Sequence, residues 1–184
     1  MTSEIENLLS FDHSELDRLL EQTFSSLETG DAAVAFQKLD LFWARLAMHI
    51  RGEHLHLFPA LLQAAQESQF NDHDSSRMLA EVPELLTELH NDHDFFMREL
   101  VTAIKLMRIV QNGEPAETDK CLSECRELLE PVRERLITHN RIEEEKVYSM
   151  VADQFDSIAQ NDLLTKVTKE LTNLPPRHRK SKAQ

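Results

Sequence analysis

Apolar residues recur at three- and four-residue steps along most of this chain, which is the spacing of amphipathic helices. The pattern predicts four long helices and a short fifth one, over residues 5–28, 32–69, 78–112, 117–151 and 161–173. Long helices joined by short loops are typical of an up-down-up-down four-helix bundle. The sequence therefore predicts an all-α fold, in which a short C-terminal helix follows the bundle.

The helix ends are marked by residues that stop or cap helices. Gly30-Asp31 and the segments 71–76 and 112–115 are rich in Gly, Pro, Asn, Asp and Ser, so we place the turns there. Pro59 is expected to kink or break the second helix, because proline has no backbone N–H to donate. Asp162 is expected to cap the fifth helix.

Composition narrows the class of protein. The 184 residues suit one domain, which we assign to residues 1–174, followed by a basic and disordered tail at 175–184. The formal charge of -13 disfavours a nucleic-acid partner. The sequence has no apolar run long enough for a membrane helix and does not start like a signal peptide. A cytoplasmic protein with no membrane partner is expected.

The two cysteines do not indicate a disulfide framework. Cys121 and Cys125 lie four residues apart on one face of the predicted fourth helix. We favour packed or surface thiols over redox or metal chemistry at this pair.

Polar residues interrupt the apolar stripe of each long helix at its middle. Each long helix has one histidine there, and two of the four histidines are followed four residues later by a glutamate. The six residues are His13, His49, Glu53, His93, His139 and Glu143. Residues four apart share a helix face, so each His–Glu pair can reach one centre. Buried carboxylates are costly without a partner, and imidazole and carboxylate together are natural ligands of a multivalent cation. The sequence predicts a metal site made by these six side chains.

The spacing of the histidines supports a common site. In an up-and-down bundle, two residues at one height are mirrored about the loop between their helices. The midpoints of successive histidines fall at positions 31, 71 and 116, which lie in or beside the three predicted loops. At about 1.5 Å of rise per residue, the four histidines should lie at one level.

The two halves of the sequence repeat each other. Asp12-His13 matches Asp92-His93, and His49 and Glu53 match His139 and Glu143. Further along, Leu57-Phe58 matches Val147-Tyr148. Two related helical hairpins would give each of two metal ions equivalent ligands, with the glutamates placed to bridge them.

These motifs resemble the hemerythrin-like, or HHE cation-binding, family. The resemblance lies in FDHSELDRLL, HIRGEHLHLFPAL, LHNDHDFFMREL and HNRIEEEKVYSM, which span about 11–150. It implies a non-haem di-iron centre, with manganese or another divalent metal as alternatives, that handles iron, oxygen or nitric oxide. The four histidines would be terminal ligands, and Glu53 and Glu143 would bridge. The pattern looks most like the branch that repairs damaged iron centres.

The third helix departs from the oxygen-carrying members of the family. Those proteins use five histidines with an HxxxH pair on this helix, whereas this chain has His90 and His93, three residues apart. Reversible oxygen carriage is therefore disfavoured. His90 could be an extra ligand, an outer support, or the alternative to His93.

The function within this class stays open at the sequence level. We favour a protein that binds iron or a diatomic ligand in sensing, stress response or repair. The alternatives are a di-iron enzyme, such as a peroxidase or nitric oxide reductase, and a structural metal in a partner-binding protein.

The residues on either side of the ligands predict two different layers. On one side, four apolar side chains should form a dry layer: Leu16, Leu46, Phe96 and Leu136. On the other, a mixed layer is predicted to admit protons or water: Leu9, His56, Lys146 and either Leu89 or His90. His54 and His73 are predicted on the surface, and His178 in the tail.

Overall fold

The computed structural model describes residues 3–68, 81–112 and 115–179, and this part of the chain contains helices and no strands. The α-helices are α1 (Glu4–Glu28), α2 (Ala32–Gly52), α3 (Phe58–Ser68), α4 (Val82–Asn112), α5 (Pro115–Ile142), α6 (Ser149–Gln154) and α7 (Ser157–Leu171). Two π-helical turns, Glu53–Leu57 and Glu143–Tyr148, join α2 to α3 and α5 to α6. The predicted all-α class is confirmed.

Local capping explains where the first helices begin. The Ser3 hydroxyl accepts from the Glu6 backbone N–H, and the Glu6 carboxylate accepts from that of Ser3, so α1 starts with a capping box. Gly30 takes a left-handed φ of 76° between α1 and α2, a conformation that other residues rarely adopt. The Asp31 side chain then caps α2 by accepting from Val34 N–H.

The ends of two predicted helices are now defined. Near Pro59, α2 ends at Gly52, a π turn follows in which Phe58 N–H bonds to Glu53 C=O, and α3 then runs from Phe58 to Ser68. The last helix begins at Ser157 and is capped by Asp156, which accepts from Ala159 N–H. Asp162, the predicted cap, instead lies one turn inside the helix and pairs with Lys166.

Ion pairs and hydrogen bonds show how α1 lies against its neighbours. Asp12 and Glu15 both contact Arg45 of α2. Against α5, Glu28 pairs with Arg126, and Glu21 pairs with Arg133. Because residue numbers fall along α1 as they rise along α5, these two helices are antiparallel.

The core consists of two apolar clusters with polar groups between them. One cluster contains the predicted dry layer, whose four side chains are each at most 2% exposed: Leu16, Leu46, Phe96 and Leu136. The other contains Leu9, Leu57, Leu89 and Val147. The predicted dry layer is confirmed.

The predicted mixed layer is wrong. His56 turns to Glu170 of α7, with 3.6 Å between Nε2 and Oε1, and Lys146 is exposed. Leu57 and Val147 are fully buried in their place. The π turns explain the error, because a π turn holds one more residue than an α turn and shifts the inward face by one position. The second layer is therefore apolar.

The chain after α7 is partly described. Pro176–His178 forms a 3-10 turn, and Arg177 and His178 both contact the buried carboxylate of Asp40 on α2. The predicted disorder does not extend to these residues. Positions 180–184 of the predicted tail, like His73, lie outside the described residues.

Cys121 and Cys125 are both buried and unpaired by disulfide. Burial raises the pKa of the Cys125 thiol to about 12, so it stays protonated and unreactive near neutral pH. The packing interpretation is supported. Within the described ranges, no helix has the length and hydropathy that crossing a bilayer would require.

Candidate metal centre

The six predicted ligands meet between the two apolar clusters. The four histidines and two glutamates are each at most 3% exposed: His13, His49, Glu53, His93, His139 and Glu143. Their ligand atoms form two groups, His13–His49–Glu53–Glu143 and His93–His139–Glu143. Helices α1, α2, α4 and α5 each supply one histidine, and the glutamates are the first residues of the two π turns. π turns within α-helices are frequent at functional sites.

The histidines converge in pairs. His13 Nε2 lies 3.1 Å from His49 Nε2, and His93 Nε2 lies 2.9 Å from His139 Nε2. Ligand atoms at about 2.1 Å from one ion are about 3.0 Å apart when they occupy neighbouring positions around it. Each pair therefore has the spacing of two ligands of a common ion.

The two glutamates lie between the pairs. Glu53 Oε1 is 3.3 Å from His49 Nε2, and its Oε2 is 3.4 Å from His93 Nε2. Glu143 Oε2 is 3.3 Å from His13 Nε2, and its Oε1 is 3.2 Å from His139 Nε2. Each carboxylate thus faces one histidine pair with one oxygen and the other pair with its second oxygen, which is the arrangement of a bridging ligand.

Two of these oxygens have no hydrogen-bond partner. Glu53 Oε2 and Glu143 Oε1, which both face the His93–His139 pair, are fully buried and unsatisfied within the described chain. A buried carboxylate oxygen without a partner carries a large desolvation cost. A cation between these oxygens and the two imidazoles would remove that cost.

One histidine of each pair is hydrogen-bonded, through the ring nitrogen that points away from the centre, to a carboxylate. Asp12 Oδ2 lies 3.0 Å from His49 Nδ1, and Asp92 Oδ2 lies 3.1 Å from His139 Nδ1. Arg45 and Arg135 in turn pair with the other oxygens of these aspartates. The sequence repeat contains these aspartates, but their role was not predicted. Such partners orient a metal-binding imidazole and increase its basicity.

The other two histidines have unlike outer partners. Glu144 Oε1 lies 2.9 Å from His13 Nδ1, whereas His54 Nε2 lies 2.8 Å from His93 Nδ1. The prediction that His54 is a surface residue is wrong, because its imidazole reaches inward to His93. His90 stacks on His54 with ring centroids 4.1 Å apart, and its Nδ1 bonds to Leu86 C=O. His90 is therefore a support for His54, which was one of the options left open.

These outer partners decide which ring nitrogens face each other. When the Nδ1–H groups of His13 and His49 donate to Glu144 and Asp12, both Nε2 atoms of the neutral rings present lone pairs. Two lone pairs 3.1 Å apart repel unless a proton or a cation lies between them. The donor set therefore fits a metal ion on chemical grounds.

When no cation is bound, protons on the histidines can balance the charge of the neighbouring carboxylates, and the pKa values indicate which histidines carry them. Burial opposes imidazolium, but Glu143 and Asp92 outweigh it and raise the pKa of His139 to about 9. Burial also opposes a charged His49, yet Glu53 and Asp12 hold its pKa well above the ordinary value. For His93, burial prevails, and the neighbouring His139 and His54 add to it, so its pKa lies well below the ordinary value. Burial of His13 is likewise outweighed by Glu143 and Glu144, which raise its pKa, so both pKa values of the first pair are raised, whereas the second pair combines a raised and a lowered one.

The prediction of ligands missed one buried polar residue, Tyr148. Its hydroxyl lies 3.0 Å from Glu53 Oε1, 3.3 Å from Glu143 Oε2 and 3.1 Å from His13 Nε2. Burial and the two carboxylates hold the pKa of this phenol well above its ordinary value. The sequence repeat contained a signal, since Tyr148 matches Phe58 and so adds a hydroxyl to one half alone.

A comparison of the sequence with known protein families found no matching family. Searches of curated proteins and of solved structures also found no match. The case for the site therefore depends on the residues and their geometry.

Proposed function

We propose that this chain is a di-iron protein of the hemerythrin-like type, built on an up-down-up-down four-helix bundle. In this proposal, the centre handles iron or a diatomic ligand such as oxygen or nitric oxide. Its role would be sensing, stress response or iron-centre repair. The observation that carries it is the pair of buried glutamates that each face both histidine pairs.

The donor set favours iron or manganese over zinc. Structural zinc sites close with four ligands, commonly including thiolates. Here the donors are imidazoles and carboxylates, and both free cysteines lie in helix α5, away from this cluster. Helical bundles that hold two iron or manganese ions use the same residue types, including glutamates that project inward. When bound, such ions would supply reversible one-electron chemistry and open positions for a small ligand.

The chain's own residues would do four things for these ions. The histidines would hold each ion from one side, and the glutamates would keep the two ions at a set separation. Asp12 and Asp92 would fix the tautomer of one histidine in each pair. The apolar layers above and below would exclude water, which strengthens every electrostatic interaction in the site.

Metal analysis tests this proposal. Protein produced with iron should contain about two ions per chain, and His49→Ala should lower that number. His178→Ala is the matched control, because His178 contacts Asp40 rather than the centre. Equal metal contents in all three proteins would contradict the proposed site.

The alternative functions separate by spectrum and turnover. An optical spectrum that changes with reductant and with nitric oxide supports a redox or gas-binding centre. A spectrum that responds to neither would favour a structural metal. Turnover of peroxide or nitric oxide that is lost in His49→Ala would favour the enzyme alternative, a di-iron peroxidase or nitric oxide reductase.

A further inference from the structure

The sequence repeat breaks at two positions that both touch the centre. Tyr148 stands where the first half has Phe58, and Glu144 stands where the first half has His54. Both Tyr148 and Glu144 contact His13, whereas both Phe58 and His54 lie against His93. The two substitutions therefore make the surroundings of one histidine pair more oxygen-rich than those of the other.

The Tyr148 hydroxyl is as close to the proposed ligand atoms as those atoms are to one another. It is 3.0–3.3 Å from three atoms of the first group: His13 Nε2, Glu53 Oε1 and Glu143 Oε2. Within that group, His13 Nε2 is 3.1 Å from His49 Nε2, and His49 Nε2 is 3.3 Å from Glu53 Oε1. These are all close to the roughly 3.0 Å expected between neighbouring ligands of one ion.

The single proton of the phenol does not by itself account for this position. A phenol has one proton and can donate to one acceptor at a time. Here it faces two carboxylate oxygens, and it also faces an imidazole nitrogen whose ring donates from Nδ1 to Glu144. Two of these three neighbours are therefore left without a proton from Tyr148, at a buried position. A cation shared by all four atoms satisfies every one of them.

We propose that Tyr148 is a seventh metal ligand, which binds through its phenol oxygen to the ion held by His13 and His49. The inference rests on the proposed di-metal centre and specifies its two halves. On binding, the phenol O–H bond breaks, the proton passes to solvent, and the oxygen electron pair forms the bond to the ion.

The two ions then differ in their ligands. The His13–His49 ion has a phenolate and two carboxylates, with the Glu144 carboxylate outside His13. The His93–His139 ion would have the two carboxylates only, with the ring of His54 outside His93 and the phenyl ring of Phe58 stacked on it with centroids 6.0 Å apart. The anion-rich half would suit the harder, trivalent ion, and the other half would have one protein ligand fewer.

The chain contains one tyrosine, so phenolate spectroscopy reports on Tyr148 alone. Iron(III)-loaded protein should show a visible phenolate-to-iron charge-transfer band with phenolate modes in its resonance Raman spectrum. Tyr148→Phe should lose both while keeping at least the ion of the His93–His139 pair. Phe58→Leu, which alters the matching ring, should keep the band.

A second measurement needs no variant. Adding gallium(III), which is colourless, to the metal-free protein should produce the ultraviolet difference spectrum of one tyrosinate per chain. An iron-loaded protein without the charge-transfer band, or gallium binding without tyrosinate, would overturn the inference and leave the di-metal centre intact. A chain that binds neither metal would instead refute the proposed function.

Discussion

The two halves of the centre share their ligands but differ in what surrounds them. Each half has two histidines, one of them held by an aspartate that pairs with an arginine. Beyond this common frame, the His13 half has Glu144 and Tyr148, and the His93 half has His54 and Phe58. In the proposed centre, repetition would give two sites for one kind of ion, and the two departures from it would set the charge of each site.

The largest effect is expected from the glutamate that belongs to both groups. Both glutamates face both histidine pairs, but Glu143 is part of both compact ligand groups, whereas Glu53 is part of the group with His13 and His49 and faces the second pair from Oε2, 3.4 Å from His93 Nε2. Glu143→Ala should therefore reduce the metal content from about two ions per chain to nearly none, and Glu53→Ala to about one. Elemental analysis of the purified variants measures this. Equal losses of metal in Glu143→Ala and Glu53→Ala would show that the two glutamates contribute alike to both ions.

The stability of the metal-free protein should depend on pH through His139. Its folded pKa of about 9 lies above the unfolded value, so it stabilises the fold fully below pH 6.5 and loses this effect as the pH rises through 9. The loss should be on the order of 3 kcal/mol, because one pKa unit corresponds to 1.36 kcal/mol.

Urea unfolding at pH 6.5 and pH 9.5 checks this slope. The metal-loaded protein is the control, because a bound ion would take the place of the proton on His139 and should flatten the dependence. A metal-free protein equally stable at both pH values would show that His139 is not the protonated histidine of the His93–His139 pair.

The aspartates should have similar effects, each confined to its own half. Asp12→Asn and Asp92→Asn remove the charge from the partners of His49 and His139, and each should lower the affinity of one ion by roughly 10- to 100-fold. Chelator competition, followed as two binding steps, separates the ions. Asp94→Asn, at an exposed position on the same helix as Asp92, is the control and should change neither step.

The smallest effect on metal affinity is expected from the two unlike outer partners, Glu144 beside His13 and His54 beside His93. The Glu144 side chain is 42% exposed, so solvent screens its charge on His13. Glu144→Gln should therefore weaken the first ion by about tenfold or less, at the lower end for an outer partner. His54→Gln should weaken the second ion even less, since the imidazole is neutral.

The exchange variant His54→Glu makes the two halves alike in this position. It should tighten the second ion and bring the two binding steps closer together in the same titration. A second step that weakens or stays in place would contradict the role assigned to charge at His93.

How far the sequence could be interpreted depended on helix regularity. The meeting of the six candidate side chains was predictable because an α-helix returns to the same face every three or four residues, so a polar residue on an apolar stripe stands out. The same rule failed at His56 and Lys146, because the π turns that begin at Glu53 and Glu143 add a residue and move Leu57 and Val147 inward. Periodicity does not reveal where a helix changes its period.

The sequence alone therefore determined the helical class, the six side chains of the candidate centre and their common height, since these follow from spacing along single helices. Only the tertiary structure decided the partners that reach across helices, such as Asp12 on His49, His54 on His93 and Tyr148 on His13. These contacts join residues far apart in sequence, and their formation depends on helix rotation and separation, which packing sets. The repeat placed the candidate side chains, two departures from it made the halves unequal, and packing brought those departures onto His13 and His93.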